Sequence, residues 1–409
     1  MITMKVAVIG LGVEGKKTVY TLLKNGYEVY ASDLNNEINI EANDLLDIDL
    51  GFHDLEKINK SDAVLISPSI WNSSLACKIR KDKKSISEII NKHKSIFTIG
   101  ITGTNGKTTT SFMIKSILEN ADKNVLIGGN AGGGFGGYTD LIIESTKDDY
   151  DYLLVEVCDM TMDFASDFFD FDLIVATNIG RDHLNYHKTL ENYTESLCQF
   201  IKGKTAILNK NDQNLSKIGE CSNKTLFYDL YKGKLKIFGK FNQSNAAAAE
   251  IVAKYLEIPE DIIKSSLEHF ETVNGRLKQI IFNNSNIVIG KTDNVDAAAA
   301  AFNEMKFDAV ILGTPRKNEL YRLDILNETV KQNPSFIGLF NGLDNTAKDC
   351  LEILHEKKYE GKMKIFNEIE EIVDFINNSI SIYPNILVAG NGQSKIMEIE
   401  NRLQLKTSD

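Results

Sequence analysis

One stretch restricts the possible folds of this chain more than any other. Residues Ile99 to Thr110 read IGITGTNGKTTT. An apolar run of strand type, Ser95 to Ile99, leads in, and a helical pattern from Lys107 to about Glu119 leads out. Glycines at 103 and 106 let the backbone curl until its N–H groups face an anion. The N-terminus of the following helix adds partial positive charge at the same point. A loop carried in this way from strand to helix implies an α/β sheet and a phosphate ligand. Lys107 is expected to reach the outer phosphates of a nucleoside triphosphate, and the Thr108 hydroxyl to ligate Mg²⁺. The strict pattern wants glycine at position 101, where this chain has Ile101; its glycines run Gly100, Gly103, Gly106. The competing reading is a chance Gly-Lys-Thr turn before an ordinary helix.

Around this loop, short apolar runs alternate with helical patterns, which implies parallel sheets. A first group comprises Lys5 to Ile9, Glu28 to Ala31 ending at Asp33, and Ala63 to Ile66, which stops at Ser67-Pro68. A second comprises Ser95–Ile99, Val125–Ile127, Tyr152–Val157 and Leu173–Ala176, with an Ala-rich helix over Asn245–Ala253. A third comprises Ile287–Ile289, Ala309–Leu312, Phe336–Leu339 and Ile386–Ala389. The 409 residues suffice for three domains. The expected fold class is α/β, with domains at 1–94, 95–275 and 276–409. The stretch Gly128–Gly137 holds seven glycines in ten residues. It is expected to let backbone approach a ligand rather than pack a core.

Composition removes several classes of function. Hydrophobic residues make up 43% and charged residues 25%, so the chain folds rather than staying disordered. A formal charge of -11 makes it a poor non-specific binder of nucleic acid or anionic membrane. No signal peptide, membrane span or membrane insertion is read, and a cytoplasmic location is expected. The five cysteines, Cys77, Cys158, Cys198, Cys221 and Cys350, are scattered and form no CxxC pair. Reduced thiols and no zinc site are expected.

Two further segments carry candidate chemistry. Glu156 ends the apolar run LLVEV, where a buried carboxylate needs a partner such as a cation; alternatively it faces solvent at the edge. Asp182-His183 follows Leu173–Ala176 in ATNIGRDHLNYH, where the plainer reading of His183 is a structural or surface histidine. At the N-terminus, Gly10, Gly12 and Gly15 are spaced GxGxxG and Asp33 ends the next strand, a dinucleotide fingerprint. That fingerprint alone suggests a NAD-linked oxidoreductase, with Asp33 on a ribose hydroxyl, but it leaves the phosphate loop unexplained.

TGTNGKTTT resembles the phosphate loop of the Mur ligases and the related folylpolyglutamate synthetases. VEV, TNIGRDHLNYH, GKFNQSNAAAA (Gly239 to Ala249) and VNGRLKQI resemble further elements of the Mur ligase family. GKTDNVDAAAAAF resembles a third-domain element of its D-glutamate-adding type, in which Lys291, Asn294 and Asp296 match and the acid two residues before the lysine is Ile289. Domain one, with its GxGxxG start and Ser67-Pro68-Ser69-Ile70, is similar to the same type.

The resemblance implies three domains: an N-terminal Rossmann-like one, a central ATP-binding phosphate-loop one and a C-terminal Rossmann-like one that takes the amino acid. It implies an ATP-dependent amide ligase whose partners are a UDP-linked sugar or peptide acceptor and an amino acid. Its ATP contacts would be Gly103, Thr104, Asn105, Gly106, Lys107, Thr108, Thr109, Asn242 and Arg276. Lys107, Glu156 and His183 would be catalytic, and Thr108, Glu156 and His183 would hold Mg²⁺. Gly10, Gly12, Val13, Gly15, Asp33, Ser67 and Asn130 would bind the UDP-linked substrate, and Lys291 the amino acid or a phosphate. Asn178 would shape the metal loop. Asn245 would support the start of its helix, with N-cap as the plain structural role; Arg276 and the pair Lys16-Lys17 otherwise read as surface.

Two departures stand out. The family's carbamylated lysine, four residues after Tyr193, is Leu197 here, followed by Cys198, with Lys202 the next lysine. The stretch LVAGNGQS lacks the Lys, His and Glu of the family's amino-acid motif, so the added amino acid is not legible. Three readings beside a peptidoglycan ligase follow: a ligase of archaeal pseudomurein, the NAD-linked oxidoreductase, and a catalytically silent nucleotide-binding homologue. Oligomeric state is not encoded in any of these patterns.

Overall fold

The computed structural model describes residues 4–282 and 285–405. Three sheets follow one another along the chain. The first comprises β1 (Lys5–Ile9), β2 (Glu28–Asp33), β3 (Leu46–Leu50) and β4 (Ala63–Ile66), all parallel, in the order β3-β2-β1-β4. The second comprises β5 (Phe97–Thr102), β6 (Val125–Gly129), β7 (Tyr152–Glu156), β8 (Leu173–Ala176), β9 (Thr205–Asn209) and β10 (Lys224–Tyr228). It is wholly parallel, in the order β10-β9-β8-β5-β7-β6. The third comprises β11 (Lys278–Phe282), β12 (Ser285–Ile289), β13 (Ala309–Gly313), β14 (Phe336–Phe340), β15 (Lys362–Phe366) and β16 (Asn385–Gly390). Its order is β11-β12-β16-β13-β14-β15, parallel except for the edge pair β11–β12.

The apolar runs seen in the sequence are the central strands of these sheets. A parallel strand is covered by helices on both faces, so every position must be apolar or small. AVLI of β4, LIVA of β8 and AVILG of β13 are buried throughout. The strands missed in the sequence are mostly edges: β3 (LDIDL) and β15 (KMKIF) alternate charge with apolar residues because one face meets water. The lead-in strand runs Phe97–Thr102 rather than Ser95–Ile99, since Lys92–Ser95 form a 3₁₀ turn. The Ala-rich helix spans Asn242–Tyr255, so Asn245 lies inside its first turn and is not its N-cap. Its buried Ala246, Ala248 and Ala249 share a core with Ile114, Ile117 and Leu118 of the helix Lys107–Asn120, small side chains allowing a close approach.

Two expectations are corrected. Cys198 and Cys221 are joined by a disulfide, their Cα atoms 5.5 Å apart, whereas Cys77, Cys158 and Cys350 are free thiols. The pairing depends on the helix Leu190–Ile201 packing against the turn Gly219–Cys221, which spacing along the chain does not encode. The dinucleotide reading also fails on geometry. A dinucleotide fold doubles the mononucleotide unit into a six-stranded sheet, and the sheet behind the GxGxxG turn has four strands.

No helix among the described residues is long and apolar enough to cross a membrane.

Candidate active site

Ligands of open α/β sheets collect where strands end at their carboxyl edge. Here the loops leaving that edge in all three sheets line one cavity of about 1060 Å³. Gly12, Ser67, Lys107, Asn130, Glu156, His183, Lys291 and Asn391 all lie on its wall.

The phosphate loop is a rigid part of this wall. Gly103 and Gly106 have φ of +121° and +87°. A Cβ at Gly103 would stand 2.2 Å from Thr177 Oγ1, and one at Gly106 2.3 Å from Asn245 Oδ1, so only glycine fits at either place. Asn178 fastens the loop. Its carbonyl accepts from Thr104 N–H at 2.9 Å, its Oδ1 accepts from Asn105 N–H at 2.9 Å, and its Nδ2 donates to Asn105 O at 2.8 Å. Lys107 opens the helix and donates back to Gly103 O at 2.6 Å and Thr104 O at 3.0 Å. Burial lowers its pKa, but Cys158, Asp159, Glu156 and Asp182 together outweigh that and hold the ammonium above the ordinary lysine range.

Glu156, at the end of β7, is buried rather than at a solvent edge, only 1% exposed. Its Oε2 accepts from Thr108 Oγ1 at 2.6 Å and its Oε1 from Asn130 Nδ2 at 3.0 Å. Thr108 Oγ1 in turn accepts from Arg276 Nη2 at 2.6 Å, and a guanidinium only donates, so the hydroxyl proton points to Glu156. Arg276 also reaches Gly133 O at 3.3 Å. Thus a residue just before the third sheet closes over the first turn of the phosphate-loop helix. Arg276→Ala is expected to lower turnover about 10- to 100-fold, the usual range for losing a charged hydrogen bond. Steady-state rates beside an unchanged unfolding temperature check this; a normal rate removes Arg276 from the site.

His183 lies on the same cavity, in left-handed backbone with φ 50°. Its Nδ1 pairs with Asp159, at 2.9 and 3.1 Å from the two oxygens, and Asp159 Oδ2 also takes His187 Nε2 at 2.9 Å. The His187 ring stacks on Tyr193 at 4.5 Å. Burial raises the pKa of Asp159, but His183, His187 and Lys107 override it and hold the carboxyl well below the usual range. Burial likewise lowers that of His183, and Asp159 and Cys158 override it and push the imidazole up. Asp159 was not singled out in the sequence, and nothing in VEVCDM marks it as a partner of two histidines 24 and 28 residues away.

Residues of the third sheet's loops meet the central ones through polar contacts. Asn105 and Asn294 exchange amide hydrogen bonds at 3.1 and 2.9 Å. Asp296 takes Arg181 at 2.7 Å, and buried Arg322 reaches Asp182 at 3.3 Å. Lys291 Nζ sits 2.8 Å from Asp293. Asn242 lines the cavity, with Nδ2 on Phe238 O and Oδ1 accepting from Asn245 Nδ2. Thr104, Asn105, Gly106 and Thr109 line it too.

The first sheet divides its candidates. Gly12, Val13 and Ser67 line the cavity, whereas Gly10, Gly15 and Asp33 are not on its wall. Gly10 has φ +86°, and a Cβ at Gly15 would stand 1.9 Å from Gly10 O, so both shape the turn. Asp33 Oδ2 accepts from Leu11 N–H at 2.5 Å and Oδ1 from Asn35 N–H at 2.8 Å, which commits the carboxylate to backbone. Leu197 is fully buried in the core, and the helix LENYTESLCQFI that carries it has no lysine. Lys202 only caps that helix's end.

Glu14 joins the first two sheets by accepting from Tyr138 N–H at 2.7 Å. Burial raises its pKa from 4.5 to about 8. The folded chain therefore keeps this proton up to about pH 8 while the unfolded chain releases it near pH 4.5. Its stabilising share is complete below the unfolded value and is lost as pH rises through the folded one. Glu14→Gln, which cannot ionise, is expected to gain a few degrees in unfolding temperature over the natural chain between about pH 5 and about pH 9. Parallel pH dependences of the two proteins would count against this.

Residues 101–234 match the family model described as the Mur ligase middle domain. That segment is a Mur ligase middle domain. Over longer stretches the chain is 26% identical to the UDP-N-acetylmuramoylalanine–D-glutamate ligase of Petrotoga mobilis, covering 96% of this chain and 95% of the relative. It is 28% identical to the enzyme of the same name from Christiangramia forsetii, covering 80% and 82%. Among solved structures it shares the fold of a pseudomurein peptide ligase type C from Methanothermus fervidus, with TM-score 0.60, 21% identity and coverage of 99% and 100%. It also shares the fold of FolC from E. coli solved with DHPP and ADP, with TM-score 0.62, 17% identity and coverage of 78% and 92%. The phosphate loop, Glu156 and His183 all fall inside the Mur ligase middle domain, and Arg276 and Lys291 reach its cavity from outside.

Proposed function

We propose that this chain is an ATP-dependent ligase that joins an amino acid to a carboxylate on a UDP-linked cell-wall precursor, releasing ADP and phosphate. The observation that carries the reading is the contact chain Arg276–Thr108–Glu156 at the head of the phosphate-loop helix, inside a cavity that all three sheets share. We take the three sheets as three domains, divided near residues 94 and 275. The first would hold the UDP moiety along Gly12, Val13 and Ser67, and the third would bring the amino acid past Lys291.

In the reaction the acceptor carboxylate attacks the terminal phosphorus of ATP, forming an acyl phosphate and ADP. The amine of the amino acid then attacks the acyl carbon, loses a proton and expels inorganic phosphate. No side-chain nucleophile takes part; orientation and charge placement carry the rate. Lys107 would leave the carbonyls of Gly103 and Thr104 for the transferred phosphoryl group, and Arg276 would follow it from the other side. The contacts Asn105–Asn294 and Arg181–Asp296 hold the third sheet's loops over the cavity and keep water from the acyl phosphate.

The substrate would be Mg-ATP. Thr108 Oγ1 and Glu156 Oε2, two hard oxygens 2.6 Å apart beside the phosphate loop, suit magnesium. Thr108, Glu156 and His183 would hold the ion, which when bound neutralises phosphate charge. His183 is hydrogen-bonded to Asp159 and would have to offer its other nitrogen, Nε2. Leu197, which has no amine to carbamylate, favours a divergent member such as one acting on a pseudomurein precursor.

The test is phosphate release from Mg-ATP across a grid of UDP-linked peptidoglycan and pseudomurein acceptors and amino acids, with Lys107→Ala as the blank. Release that requires one acceptor and one amino acid is expected, and the pair names the reaction. Release that is indifferent to both, or equal in the blank, removes the ligase reading.

A further inference from the structure

We propose that Cys158, Asp159 and His183 form a site for one thiophilic divalent cation of the zinc type, different in donor chemistry from the Thr108–Glu156 oxygens. Their donor atoms all lie within 4.8 Å of one another. Cys158 Sγ is 3.4 Å from Asp159 Oδ1, and His183 Nδ1 is 2.9 and 3.1 Å from the two Asp159 oxygens. A tetrahedral zinc with bonds of ~2.3 Å to sulfur and ~2.0 Å to nitrogen and oxygen spaces its ligand atoms about 3.3 to 3.6 Å apart. The contacts to Asp159 therefore need to move by only a few tenths of an ångström to admit the ion.

The surroundings are built for ligation. Cys158 and Asp159 are 6% and 3% exposed. His187 donates to Asp159 from behind and is itself stacked on Tyr193, the kind of outer support that fixes a metal ligand's orientation. Cys158 and His183 line the cavity, which leaves the fourth position to solvent or an anion. The Lys107 ammonium opposes a second cation, but a thiolate and a carboxylate together outweigh it. Magnesium does not compete here, because a hard ion avoids sulfur. The site itself is independent of the ligase reading. Its consequence rests on that reading: an ion held here takes His183 out of phosphoryl transfer, so trace zinc switches the ligase off.

The experiment uses the full chain without reductant, so that Cys198 and Cys221 stay joined, titrated with cobalt(II) alone. One cobalt per chain is expected, with a thiolate-to-metal charge-transfer band. Cys158→Ser should lose that band, and Cys77→Ser and Cys350→Ser should keep it. No band in the natural chain, or a band that survives Cys158→Ser, overturns the site. As a measurement free of variants, zinc-edge X-ray absorption of the natural chain with one equivalent of zinc should show one sulfur at ~2.3 Å; a shell of nitrogen and oxygen only overturns it. In the phosphate-release assay, Cys158→Ser is expected to raise the zinc concentration needed for inhibition at least ~10-fold. Cobalt bands without zinc inhibition would keep the site and overturn its link to His183, whereas absent phosphate release from Mg-ATP in the zinc-free chain would fault the ligase reading alone.

Discussion

Lys107→Ala is expected to lower acceptor-dependent phosphate release at least ~100-fold, the scale on which loss of one preorganised charge-stabilising donor is felt. The ammonium is half-buried on the cavity wall and held charged by the acidic groups around it. Its present partners, the carbonyls of Gly103 and Thr104, are weaker acceptors than a phosphoryl group gaining negative charge. The interaction is thus stronger in the transition state than in the resting chain, and kcat should fall more than the affinity for ADP. The fold should survive, because the loop is also held by Asn178 O, which accepts from Thr104 N–H, and by Thr177 Oγ1, which donates to Asn105 O. Rapid-quench rates and ADP titration separate the two terms. A variant with normal kcat and weakened ADP binding would make Lys107 a binding residue only.

Glu156→Ala is expected to lower turnover by a similar factor, at least ~100-fold, but through a different term. Removing the carboxylate leaves Asn130 Nδ2 and the Thr108 hydroxyl without their acceptor and leaves the Arg276 guanidinium less balanced. Glu156→Gln keeps an acceptor oxygen and removes only the charge, so it separates packing from electrostatics. The Gln variant should fold normally and need more magnesium to reach half its maximal rate. An unchanged magnesium dependence in Glu156→Gln would take this carboxylate out of cation binding and leave it as the anchor of Thr108 and Asn130.

The parts of the site that were legible in the sequence are those whose geometry is local. Gly103, Gly106, Lys107 and Thr108 lie within six residues, and a strand feeding a helix is enough to set their directions. Glu156 was readable as an anomaly, a carboxylate at the end of an otherwise apolar run. Asp33 shows the opposite case: its position after a strand suggests a ribose contact, and only the structure adds that its carboxylate accepts from the N–H of Leu11, 22 residues earlier. Edge strands β3 and β15 were invisible because half-exposed strands mix charge with apolar residues and lose the buried-run signature.

The sequence by itself determined the α/β class, the phosphate loop and the central strands, because each depends on sterics and burial within a few neighbouring residues. Only the tertiary structure decided that Asp159 receives His183 and His187, that Cys198 meets Cys221, and that Arg276 closes on Thr108 across 168 residues. Those contacts follow from strand order. β5 lies between β7 and β8, which brings the ends carrying Glu156 and His183 to either side of the phosphate loop. Strand order is set by the packing of whole sheets and helices, and no short stretch of residues contains that information.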